Sequence, residues 1–123
     1  ENYIDAINRI ALDIYNSTND EVILENKIVL SIAIRLEAEK FLKSILVANN
    51  ADLTTSNNQT RDWSNKAKIY LNNEQTRIIN EVNLMTPESI HLNSFMYEPI
   101  IDMSNWTLKK LYKDVLNLNG IVV

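Results

Sequence analysis

The chain has 123 residues, 46% hydrophobic and 23% charged, with a formal net charge of −4. That is the size and composition of one globular domain, and it argues against a disordered chain. One Gly and two Pro exclude collagen-like and Pro/Gly-rich classes, and the absence of Cys excludes a disulfide framework and thiol chemistry.

Helical periodicity runs through most of the sequence. Residues 2–16 place Tyr3, Ile7, Ile10, Ala11 and Ile14 on one stripe, with Asp5, Asn8, Arg9 and Asp13 mostly elsewhere. Ser17 to Asp20 is a turn that offers N-caps to a long helix at about 20–48. This second helix is apolar almost all round between Ile28 and Leu36, which predicts the buried centre of the domain. Lys27, Ser31, Arg35 and Glu39 are its polar exceptions, four residues apart on one narrow stripe.

Asn49 to Asn58 is the longest polar stretch, and we expect the most mobile loop there. A third helix at about 58–71 carries Trp63, Ala67, Tyr70 and Leu71 at helical spacing. Asn72-Asn73 breaks it, and a fourth at about 74–85 carries Ile78, Ile79, Val82 and Met85. Thr86-Pro87-Glu88 is a helix-start signal, but the apolar run that follows, near 90–101, has no clean period. The last helix, about 104–117, has the stripe Leu108, Leu111, Tyr112 and Val115, and Asn119-Gly120 stops it. Ile121 to Val123 read as a tail. The expected fold is all-α: a bundle of about five helices with a long buried central helix and an irregular apolar segment near 90–101.

Most chemical templates fail. Glu88-x-x-His91 has the spacing of carboxylate-bridged di-iron bundles, but one His cannot build that site, so no metal and no cofactor are expected. The only Gly is Gly120, which excludes a Gly-rich phosphate loop. Small helical ribonucleases of the HEPN type carry an Arg four to six residues before a His. Leu84, Met85 and Thr86 stand there instead, so a divergent nuclease has to bring Arg35 or Arg61 to His91 through the fold. An acidic chain argues against a nucleic-acid partner. No apolar run approaches the roughly 20 residues needed to cross a bilayer, and the missing Cys fits a reducing cytoplasm. Asn is abundant at 18 residues beside 16 Ile, which reads as base composition of an AT-rich gene, and three glycosylation sequons at Asn16, Asn58 and Asn105 are near the chance number.

Two features remain. Arg35 and Glu39 are placed for an intrahelical ion pair and read as structural supports. His91, Asn93, Phe95, Tyr97 and Glu98 lie in the aperiodic apolar segment, which is either a core-closing loop or a partner-binding face, since Met, Tyr and Phe are favoured at interface centres. After the partner-binding reading, the alternatives are a divergent HEPN-like ribonuclease or remnant using Arg35 and His91, and a small-molecule pocket lined by Trp63, Tyr70 and Trp106.

The run TPESIHLNSFMYEPIIDMS at 86–104, with LKKLY at 108–112 and IRLEAEKFL at 34–42, resembles the C-terminal end of large bacterial proteins of the phage-infection and mobile-element type, some with an AAA or SMC-like ATPase part. The resemblance spans about 28–116 and implies an accessory helical domain; it carries over no catalytic residue. It agrees with a chain that starts at Glu1 rather than Met, read here as one domain, 1–123, excised from a longer protein. The expected function is a non-enzymatic interaction or regulatory domain, binding a protein partner or a second copy of itself.

Overall fold

Five α-helices and one 3-10 turn form among the residues that the computed structural model describes, 2–17, 24–55, 58–85 and 103–123. They are α1 (Tyr3–Asn16), α2 (Leu24–Ala48), α3 (Gln59–Ala67) with its 3-10 extension Lys68–Tyr70, α4 (Asn73–Met85) and α5 (Asn105–Leu118). No strand is present among the described residues. The all-α bundle expected from periodicity is what forms.

Helix α2 is the centre. Its 25 residues make a rod roughly 37 Å long, and it packs against each of the other four helices. No residue from Asn26 to Glu39 is exposed. That is the environment an all-round apolar helix requires. The predicted stripes of α4 (Ile78, Ile79, Val82, Met85) and α5 (Leu108, Leu111, Tyr112, Val115) are buried at every position.

Two faces depart from the expected register. On α1, Tyr3 and Ile10 are exposed, while Asn8 faces inward with Ala11, Leu12 and Tyr15. A polar contact described below holds that rotation. On α3 the α-helix ends at Ala67 and tightens into the 3-10 turn. With three residues per turn instead of 3.6, Tyr70 leaves the face that buries Trp63 and Ala67, and it is exposed.

Asparagine builds most of the helix ends. The Asn2 and Asn58 side chains accept from Asp5 N (2.8 Å) and Arg61 N (3.1 Å) as N-caps. Asn72 and Gln75 form a reciprocal capping box at the start of α4: Asn72 Oδ1 accepts from Gln75 N at 2.8 Å, and Gln75 Oε1 accepts from Asn72 N at 2.9 Å. Helices α2 and α5 end in Schellman motifs. Ala51 N donates to Leu46 O and Asn50 N to Val47 O, with Asn50 at φ 55°; Ile121 N donates to Leu116 O and Gly120 N to Asn117 O, with Gly120 at φ 77°.

The stretch after α2 is more tied down than its composition suggested. The Trp63 indole donates to Leu53 O at 3.1 Å, and Lys66 Nζ donates to Asp52 O at 3.1 Å. Both anchors come from α3, so Ala51 to Thr55 lie along that helix. Nothing within 4 Å would meet a Cβ at Gly120, so its φ, not space, is the constraint. Gly120→Val should therefore lower stability by about 1–2 kcal/mol through backbone strain alone. Asn72→Ala should cost about 1 kcal/mol. Urea denaturation checks both.

Candidate functional site

One polar constellation joins three helices. Glu37 on α2 is only 2% exposed. Its Oε1 accepts from Asn8 Nδ2 of α1 at 3.0 Å, and its Oε2 accepts from Asn119 Nδ2, just past α5, at 2.7 Å. The same Asn119 amide donates to the Glu37 backbone carbonyl at 3.0 Å. Tyr112 of α5 is fully buried and donates its hydroxyl to Asn8 Oδ1 at 3.1 Å. Tyr15 packs edge-on against Tyr112, with ring centroids 6.4 Å apart. Burial, and then the charge of Glu37, push the Tyr112 phenol up to about 12.

The sequence reading missed this network. It placed Asn8 on the outward side of α1 and did not single out Glu37. One signal was available: Glu37 falls on the Leu30–Ile34–Ala38–Phe41 face at helical spacing, so a carboxylate there has to find donors from neighbouring helices.

Glu39 makes a second tie. Its carboxylate accepts from Thr60 Oγ1 at 2.6 Å and Gln59 Nε2 at 3.2 Å, fixing the start of α3 to α2. It forms no ion pair with Arg35; the i, i+4 pair that the spacing offered gives way to an interhelical contact. Arg35 is partly buried on α2. His91, Asn93, Phe95, Tyr97 and Glu98 lie outside the described residues. Trp63 is core, whereas Tyr70 and Trp106 are exposed, and the three rings line none of the grooves described here. Among the described residues no group of three or more His, Cys, Asp or Glu is placed to hold a metal ion. No helix among them is long and apolar enough to cross a membrane.

The surface feature that stands apart lies between α4 and α5. An apolar groove of about 410 Å³ is lined by Glu81, Leu84, Met103, Thr107, Lys110 and Leu111. Leu84 is 76% exposed on one wall, and Trp106, beside the other wall on α5, is 71% exposed. A charged cluster closes one end. Arg77 reaches Glu81 at 2.7 Å and Asp114 at 3.8 Å and also holds Glu74, while Lys110 reaches Asp114 at 3.2 Å. The hydrogen bond from Arg77 holds the Glu74 carboxyl below its usual range, although both groups are exposed. Exposed pairs of this kind add little stability; only Arg77–Asp114 crosses from α4 to α5, and the other three lie within one helix. Two further grooves, along α3 and between α3 and α4, are more polar and more open.

No protein-family model matches the chain, and no curated protein or solved structure is significantly similar to it.

Two outcomes test the network. Glu37→Ala leaves the half-buried Asn8 amide without its acceptor and the Asn119 amide with only the residue-37 carbonyl, and should cost about 2–4 kcal/mol, whereas Glu37→Gln keeps one acceptor and should cost about half as much, by urea denaturation. Tyr112 gives a pH signature. Above its ordinary value of 10.0 the unfolded chain releases the phenolic proton while the folded chain keeps it, so stability falls as pH rises. Its contribution is complete below pH 10 and lost between 10 and about 12. Tyr112→Phe should be less stable at neutral pH by about 1 kcal/mol yet lose less stability across that alkaline window.

Proposed function

We propose that this chain is a non-enzymatic helical interaction or regulatory domain of a larger bacterial protein, and that it works through the α4–α5 face. One observation carries the reading: a large leucine and a tryptophan, both mostly exposed, flank an apolar groove on a bundle that otherwise buries its predicted helix stripes on α4 and α5. An exposed apolar patch rimmed by charge is the usual form of a protein-binding surface, and Trp is among the residues that dominate binding energy when covered.

The buried polar groups support the same reading. Glu37, Asn8, Tyr112 and Asn119 satisfy one another inside the bundle, and Glu39 is engaged by Thr60 and Gln59. Their chemistry goes into holding helices in place.

The test uses the whole protein at its natural level in cell extract. The wild type is expected to run by native mass as an assembly heavier than one chain. Leu84→Asp combined with Trp106→Asp should release the lone chain. Both side chains are exposed, so the isolated domain should keep its helical circular dichroism and lose no more than about 0.5 kcal/mol. A wild-type protein that runs alone, or an assembly that the double variant leaves unchanged, overturns the reading.

A further inference from the structure

We propose that Asn119-Gly120 is a modification site: a deamidation latch that the Glu37 network holds shut and that, once sprung, keeps the end of α5 from closing again on α2. Asparagine is most prone to this chemistry when glycine follows it, because a glycine nitrogen has no side chain beside it to obstruct attack. The chain has a single Gly, so this is its one Asn-Gly step. Gly120 is exposed, and nothing lies within 4 Å of where a Cβ would stand. The chemistry needs only water. The Gly120 backbone nitrogen gives its proton to solvent and attacks Asn119 Cγ. A new N–Cγ bond forms, the Cγ–Nδ2 bond breaks, and the amide takes up a proton and leaves as ammonia. Water then opens the five-membered succinimide at either carbonyl, giving aspartate or isoaspartate and one added negative charge.

The folded chain blocks each reacting group. The leaving amide donates to Glu37 Oε2 at 2.7 Å and to the Glu37 carbonyl at 3.0 Å. The attacking nitrogen donates its hydrogen to Asn117 O at 3.0 Å. With Asn119 at φ −93° and ψ 11°, that nitrogen is turned away from Cβ, and ring closure requires ψ to rotate out of the Schellman turn. The negative charge of Glu37 beside the amide also disfavours the anionic tetrahedral intermediate. Attack therefore waits until the turn opens. Afterwards the turn cannot close as before. An aspartate at 119 has no N–H to give, so two carboxylates would meet where a donor met an acceptor, and they repel. Glu37 keeps only Asn8 of its two side-chain donors. Isoaspartate also lengthens the backbone inside the turn that Ile121 N closes on Leu116 O.

The purified chain is aged in mildly alkaline buffer, and the state of residue 119 is read by peptide mass spectrometry. The folded wild type should lose this amide at least about thirtyfold more slowly than the same chain unfolded in urea. Glu37→Gln leaves one side-chain oxygen for two amides and should speed the loss about fivefold or more. Ile78→Val, a core change on α4 of similar cost, should leave the rate where it was. Asn119→Asp should unfold at lower urea than Asn119→Ala, because it adds a charge against Glu37 as well as removing the donor. A folded chain that deamidates as fast as the unfolded one overturns the proposal. So does a Glu37→Gln rate no faster than that of Ile78→Val, or an Asn119→Asp chain as stable as the wild type. If Glu37→Gln does not fold, the folded-against-unfolded rate and the order of the two Asn119 variants still decide.

Discussion

The Glu37 carboxylate, buried in the middle of α2 and held by two asparagine amides, is the constraint on which the arrangement of α1, α2 and α5 depends. Its charge sits where water cannot solvate it, so its donors must be supplied by the protein. Asn8 and Asn119 come from opposite ends of the sequence. Their amides can reach one carboxylate only if α1 is rotated to bring Asn8 inward and α5 ends where Asn119 meets α2. The network thus sets the rotation of one helix and the axial position of another. Apolar packing alone tolerates small slips of both; a buried carboxylate that loses a donor does not.

The groove follows from that placement. With α5 fixed against α2, its apolar stripe is spent on the core, and Trp106, off the stripe, is left facing out. Arg77 and Asp114 bridge α5 to α4 at one end of the groove. Leu84 is one residue from the end of α4 and remains exposed beside the core residue Met85. The proposed binding face is one place where the core-forming periodicity and the large apolar side chains stop coinciding.

That distinction also explains what could be read from the sequence. Helix positions and the buried role of α2 follow from spacing alone, because a 3.6-residue period and an all-round apolar run have few other solutions. The stripes on α4 and α5 were legible for the same reason. The rotation of α1 was not, because Tyr3 and Ile10 outweigh Asn8 in any hydrophobic count, and only the partner helices reveal that Asn8 has a carboxylate to meet. Arg35 and Glu39 were legible as a pair by spacing, yet Thr60 and Gln59 from α3 take the carboxylate. The asparagines were read as base composition, although Asn2, Asn58 and Asn72 cap helices and Asn50 and Asn119 end them. Capping preference was the signal that could have found them. Leu84 and Trp106 looked like ordinary apolar residues, since exposure is a property of the assembled bundle.

The central claim is that the Glu37 network makes α1, α2 and α5 one cooperative unit. Native-state hydrogen exchange of the wild type beside Asn8→Ala tests it most directly. If the claim holds, the amides of α1 in the wild type open together with those of α2, and in Asn8→Ala they open separately at a lower free energy while α2 and α5 keep a common, higher value. An α1 that already opens on its own in the wild type, or one whose protection relative to α2 is unchanged by Asn8→Ala, would contradict it.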